Sequence, residues 1–148
     1  MHRYYFIRFI LLLLCFSASG LTTTNAANNP VNNDKLNIVI HISSGLASSH
    51  QAALNYTQII RDKHGSRANI IIVANGPGIA FANKNNKFKH SIKRLHNDNI
   101  HTFACNNTIQ HLINNNKKIP IVEEVQIVPF GILKVVELQN KGYLYLRP

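Results

Sequence analysis

The chain has 148 residues, and its 16 lysines and arginines outnumber its 6 aspartates and glutamates, which gives a formal net charge of +10. Such a balance can indicate binding to nucleic acid or anionic lipid, but the lysines are scattered along the chain. We therefore expect no nucleic-acid partner.

The first 26 residues have the organisation of a secretory signal peptide. Arg3 and Arg8 carry positive charge, an apolar run covers 9–16, and small residues follow. This run is about half of the ~20 residues that span a membrane. We therefore predict a signal peptide at 1–26, no membrane attachment after cleavage and a periplasmic location; an uncleaved anchor is the alternative. Cleavage removes Cys15, so Cys105 remains as the only cysteine and has no partner for an internal disulfide.

A polar segment, 27–35, has no apolar periodicity and is predicted to be a flexible leader. The remaining residues, 36–148, are enough for one domain with a single core. Its predicted elements, in chain order, are a strand at 36–42, a helix at 48–64, a strand at 69–74, a short helix at 79–82, a helix at 87–97, a strand at 100–104, a helix at 107–113, a strand at 125–128, a helix at 132–139 and a strand at 143–146.

The second strand, 69–74, is apolar without alternation, which is typical of a parallel sheet that is covered on both faces. Strands and helices alternate through the whole domain. The fold class is therefore α/β, with helices on both faces of a mostly parallel sheet of about five strands. The order of the strands does not follow from the sequence.

Small and polar residues follow four of the predicted strands, where ligands bind in open α/β sheets. These loops are Ser43-Ser44-Gly45, Gly76-Pro77-Gly78, Cys105-Asn106-Asn107-Thr108 and Pro129-Phe130-Gly131. If the strands are parallel, the loops meet at one edge of the sheet. The sequence thus predicts a site at this edge.

Cys105 lies where the third strand meets the next helix. The backbone N–H groups of a helix start, here 106–108, stabilise a thiolate and lower its pKa. A buried, inert cysteine is equally compatible with the position, and a disulfide between two subunits is a third possibility. No histidine or carboxylate adjoins Cys105 in sequence, so a general base is missing.

Metal and nucleotide sites are not indicated. His101 and Cys105 are four residues apart, which is about 13 Å along a strand and too far for one metal ion. Gly76-Pro77-Gly78 is not a dinucleotide-binding motif, and Pro77 lacks the N–H that a phosphate would need. We expect no metal and no cofactor.

Taken together, the segments at the strand ends resemble the DsrE-like family. The resemblance is carried by His41-Ile42-Ser43-Ser44-Gly45, Val73-Ala74-Asn75-Gly76-Pro77-Gly78, Phe103-Ala104-Cys105-Asn106-Asn107-Thr108, Val128-Pro129-Phe130-Gly131 and the ending Gly142-Tyr143-x-Tyr145-x-x-Pro148. It covers essentially all of 36–148.

The resemblance implies a three-layer Rossmann-like domain that assembles into homo-oligomers. It also implies that Cys105 accepts sulfur from a donor protein and passes it to an acceptor protein as a persulfide. Asn107 and Thr108 would cap the helix, and Gly76 and Gly78 would form a wall of the pocket. Relay members act in the cytoplasm, whereas an exported chain could instead be a non-catalytic oligomeric module that binds a ligand or a partner.

Overall fold

A five-stranded parallel sheet is the centre of the structure, a computed structural model that describes residues 35–148. Its strands are Leu36–Ile42 (β1), Ala68–Ala74 (β2), His101–Cys105 (β3), Gln126–Val128 (β4) and Leu144–Leu146 (β5). Their order in the sheet is β4-β3-β2-β1-β5. The predicted α/β class with a parallel sheet of about five strands is confirmed.

Four α-helices and two 3₁₀ helices connect the strands of the described domain. They are Ala47–His64 (α1), Lys89–Asn97 (α2), Asn106–Asn114 (α3), Gly131–Asn140 (α4) and the 3₁₀ helices Gly65–Arg67 and Gly76–Ala82. The predicted bounds agree to within about two residues. The short helix predicted at 79–82 begins earlier, at Gly76, because Pro77 fits the first turn of a helix.

The path of the chain explains why helices cover both faces. From β1 to β4 each strand lies beside its predecessor, and the connecting helices pack on one face of the sheet. The chain must then return across three strands to reach β5 beside β1. Because such crossovers are right-handed, the reversal places α4 on the opposite face.

The side chains of β1 and β2 alternate between two cores. Ile38, Ile40, Ile70 and Ile72 pack with α1, α2 and the longer 3₁₀ helix in one cluster. On the opposite face, a smaller cluster joins Val39, Ile71 and Val73 to Val135 and Leu138 of α4. Both faces are thus buried, which is the reason for the unbroken apolar run in β2.

The predicted signal peptide, 1–26, and nearly all of the predicted leader, 27–35, lie outside the described residues. Within 35–148, none of the helices has the length and apolar character needed to cross a membrane.

Candidate functional site

Cys105 lies between the amino-terminal ends of two helices. It is the last residue of β3 and the N-cap residue of α3, and it is 5% exposed. Gly131, the first residue of α4, lies directly against it. The first N–H groups of a helix have no partner inside the helix and carry partial positive charge. This position therefore favours an anionic sulfur.

Gly131 has no side chain at the point where α4 meets the sheet. A Cβ on Gly131 would be 3.0 Å from the Cβ of Asn75 and 3.1 Å from the Cβ of Cys105. Such distances are shorter than ordinary contacts between carbon atoms. Glycine thus allows the backbone of α4 to approach the sulfur closely.

Opposing influences act on the thiol. Burial is the largest single influence and raises the pKa of Cys105. Four hydrogen bonds oppose it; in decreasing order they come from the backbone of Gly131, the Thr108 hydroxyl, the backbone of Thr108 and the backbone of Asn107. Together they lower the pKa of the thiol below its ordinary value, because each donor stabilises the thiolate.

Thr108 is held so that its hydroxyl hydrogen is available to the sulfur. The backbone N–H of Gly76 donates to Thr108 Oγ1 at 3.0 Å. Since this oxygen already accepts from Gly76, its own O–H can donate to Cys105. The loop after β2 therefore acts on the thiol through Thr108.

One contact would favour the neutral thiol. The S–H group can donate to the Pro129 carbonyl, but the distance from sulfur to oxygen is 4.0 Å. The same carbonyl accepts a shorter bond, 3.1 Å, from the backbone N–H of Asn107. The S–H contact is at the outer limit of hydrogen bonding, so the donors to the thiolate dominate.

The other residues predicted at the site have different surroundings. Ser44 accepts hydrogen bonds from His50 and from the backbone of Leu46, while the buried Ser43 hydroxyl has no partner among residues 35–148. Gly45 packs against Pro77. These three residues form the adjoining loop, and none of them is among the groups that shift the pKa of the Cys105 thiol.

Gly78 and Asn106 also have structural contacts. A Cβ on Gly78 would be 2.0 Å from the carbonyl oxygen of Ile42. Glycine at this position therefore allows the 3₁₀ helix to pack closely against the end of β1. Asn106 Oδ1 accepts from Gln110 at 3.4 Å. The prediction that Asn107 and Thr108 cap α3 is wrong, because the helix begins at Asn106 and Cys105 is its N-cap.

A polar network centred on the buried His41 lies beside Cys105 and is not apparent from sequence spacing. His41 is 7% exposed; its Nε2 lies 2.9 Å from Asn75 Oδ1, and its Nδ1 lies 2.8 Å from the Tyr145 hydroxyl. Asn75 directly follows β2, and Cys105 lies beside it because Ala74 pairs with Ala104. The motif segments quoted above contain all three residues, but only the folded sheet brings them together.

A cavity of about 490 Å³ adjoins Thr108. It is lined by Gly76, Pro77, Ile79, Ala80, Asn107, Thr108, His111, Leu112 and Ile119. We call it the α3 groove. Its size suits a small ligand, and its mostly apolar lining with a few polar groups is typical of ligand sites.

Within 35–148, no group of three histidine, cysteine, aspartate or glutamate side chains is arranged to hold a metal ion.

Neither a family model nor a curated protein matches the chain. Solved structures with similar folds include MTH1491 from Methanobacterium thermoautotrophicum, a protein of unknown function, with 21% identity, a TM-score of 0.69, and coverage of 77% of this chain and 100% of that one. The ychN protein from E. coli is 11% identical, with a TM-score of 0.59 and coverage of 76% of this chain and 99% of its own. YchN has a DsrE-like fold. The described domain therefore has the YchN-like fold.

Proposed function

We propose that this chain is an exported sulfur carrier in which Cys105 accepts sulfur and passes it on as a persulfide. The observation that carries the proposal is the thiol between the starts of α3 and α4, with its pKa lowered by hydrogen bonds to the sulfur. The YchN-like fold and the resemblance to the DsrE-like family are consistent with it. A periplasmic location follows from the predicted signal peptide.

The chemistry needs only the thiolate and a compound that contains sulfane sulfur. With thiosulfate, the Cys105 thiolate attacks the outer sulfur, a new S–S bond forms, and the S–S bond of thiosulfate breaks as sulfite leaves with the electron pair. An acceptor thiolate then attacks the outer sulfur of the persulfide, which regenerates the Cys105 thiolate. Neither step requires a metal or an external oxidant.

The proposal is tested by the reactivity of Cys105 in the purified protein. We expect alkylation to proceed at a pH below the ordinary thiol value of about 8.5, and thiosulfate to add the mass of one sulfur atom to Cys105. Cys105→Ser should abolish this addition while the protein stays folded, as judged by circular dichroism. Equal sulfur loading in the wild type and the variant would refute the proposal.

The α3 groove favours a second candidate function, a non-catalytic module that binds a small ligand. Its volume of about 490 Å³ is within the range of ligand sites. An unreactive thiol together with ligand binding in the groove would support this alternative. A disulfide between two subunits is less favoured, because Cys105 is only 5% exposed.

We further propose that the chain forms a homo-oligomer through the outer side of α4. The supporting observation is a row of exposed apolar residues, Phe130 (50%), Ile132 (51%), Leu133 (60%) and Val136 (45%), which we call the α4 patch. Contiguous apolar surface of this kind marks interaction sites. Because α4 begins beside Cys105, the interface would adjoin the sulfur site.

A further inference from the structure

The His41 network contains one hydrogen-bond donor that the domain itself leaves unused. If the Tyr145 hydroxyl donates to His41 Nδ1, then His41 Nε2 carries the proton and donates to Asn75 Oδ1. This arrangement fixes the orientation of the Asn75 amide. Its NH₂ group has no hydrogen-bond partner among residues 35–148.

Asn75 lies between His41 and Cys105 at the end of the sheet. Asn75 follows β2, which lies between β1 and β3. Its oxygen accepts from His41 on β1, so the NH₂ group remains for another partner, and β3 with Cys105 at its end is the neighbour on the opposite flank. A Cβ on Gly131 would lie 3.0 Å from the Cβ of Asn75 and 3.1 Å from the Cβ of Cys105. The side chains of Asn75 and Cys105 therefore leave the backbone close together.

The backbone of Asn75 is also held in place. Its N–H donates to the Ile42 carbonyl at 3.1 Å, and its own carbonyl accepts from the Gly78 N–H at 2.9 Å. A side chain on such a fixed backbone loses little conformational entropy when it makes one more hydrogen bond. The Asn75 side chain therefore starts from a fixed backbone position close to Cys105.

From this geometry we infer that Asn75 donates a hydrogen bond to the outer sulfur of a Cys105 persulfide, and that His41 and Tyr145 are positioning residues that hold its amide in the donating orientation. The inference rests on the proposed function. The groups that contact the thiol itself, Gly131, Thr108 and Asn107, do not include Asn75. Asn75 thus acts on the added sulfur, which extends beyond Sγ, and not on the thiolate.

The test separates thiol reactivity from sulfur loading. In the full protein, the alkylation rate of Cys105 is measured against pH, and the fraction of Cys105 persulfide is measured by mass spectrometry over a range of thiosulfate and sulfite concentrations. For Asn75→Leu we expect the loading equilibrium to fall about tenfold, as for loss of a hydrogen bond to a charged group, with an unchanged pH profile of alkylation. A merely structural role would alter both measurements together.

Tyr145→Phe is a milder variant that keeps the inference testable if Asn75→Leu does not fold. It removes the group that fixes the His41 tautomer, so we expect loading to fall about two- to threefold with unchanged alkylation. Tyr143→Phe is the matched control. Its hydroxyl accepts from Asn69 at 2.6 Å and belongs to a separate network, so loading should equal that of the wild type.

The outcomes distinguish this inference from the proposed function. If wild-type Cys105 takes up no sulfur from thiosulfate, the proposed function fails and the inference fails with it. If the wild type loads and Asn75→Leu loads equally well, only the inference is wrong. Equal losses in Tyr145→Phe and Tyr143→Phe would also overturn it, because the effect would then be a general one on the end of the chain.

Discussion

At the scale of single residues, the proposed sulfur site depends on side chains whose hydrogen bonds are already committed. Thr108 Oγ1 accepts from Gly76 at 3.0 Å and so directs its own hydrogen to Cys105. His41 is fixed in the same way between Tyr145 and Asn75. Because these groups are already oriented, the proposed persulfide would meet donors that need no rearrangement when charge appears on its sulfur.

Thr108→Val should raise the pKa of Cys105, since valine keeps the shape of threonine but cannot donate to the thiolate. We expect alkylation at neutral pH to slow several-fold, and stability to fall by about 1 kcal/mol because the Gly76 N–H loses its acceptor. Alkylation rates from pH 5 to 9 measure the first effect. Thr102→Val is the control. Thr102 lies in the same strand as Cys105, its buried hydroxyl has no partner within 35–148, and reactivity should not change.

His50 should make the stability of the domain depend on pH. Burial is the main influence and lowers the pKa of His50, while its hydrogen bond to the Ser44 carbonyl opposes this in part. The unfolded chain therefore binds a proton at His50 at a higher pH than the folded domain does. Stability should be fully present above pH ~6.5 and should fall as the pH drops from there through the lower folded value.

Chemical denaturation at several pH values tests this prediction. His50→Gln removes the titrating group, so its stability should decrease less than that of the wild type between pH ~6.5 and pH ~5. Parallel decreases in both proteins would show that other groups are responsible.

At the scale of elements, the site depends on close contacts between the loops after β1 and β2, the start of α3 and the start of α4. Gly78 lies against Ile42 at the end of β1, and Gly131 lies against Asn75 and Cys105. At both points the neighbouring element occupies the space that a side chain on the glycine would need. The distances between these elements decide whether N–H groups reach the sulfur.

Gly78→Ala should destabilise the domain by at least about 3 kcal/mol, because its Cβ would be 2.0 Å from a carbonyl oxygen and the backbone would have to move. Thermal or denaturant unfolding measures the change. Gly45→Ala is the matched control in the adjoining loop; its Cβ would meet Pro77 at 3.3 Å, so the cost should be below about 1 kcal/mol. Similar losses in both variants would contradict this explanation.

At the scale of the whole molecule, the two faces of the sheet are covered unequally. α1, α2, α3 and the longer 3₁₀ helix contribute to the cluster on one face, whereas α4 alone contributes to the described cluster on the other. The outer side of α4 is the exposed α4 patch. This asymmetry is the physical reason for proposing that a second copy packs on α4.

Leu133→Glu should dissociate the proposed oligomer, because a carboxylate in an apolar interface would have to be buried without a partner. Sedimentation of the wild type and the variant at equal concentrations measures the change in mass. Ile59→Glu is the control, since Ile59 on α1 is as exposed (63%) as Leu133 (60%) but lies outside the α4 patch. A monomeric wild type would refute the proposed assembly.

By itself, the sequence determined the order and type of the elements, the parallel α/β class and the place of Cys105 at a strand-to-helix junction. These features are local, because the apolar run of β2 and the helical spacing of apolar residues in α2 each lie within a few neighbouring residues. Hydrophobic burial of those residues favours the strand or the helix directly. The parallel arrangement also places the ends of β1, β2 and β3 at one edge of the sheet, as the sequence predicts.

Only the tertiary structure decided what surrounds the sulfur. The contact of His41 with Tyr145 joins residues that are 104 positions apart, and that of Gly76 with Thr108 spans 32 positions. Both depend on which strands are neighbours in the sheet, which no local pattern encodes. The start of α4 reaches Cys105 because the chain must return across the sheet from β4 to β5 by a right-handed crossover, and that constraint acts on the whole domain.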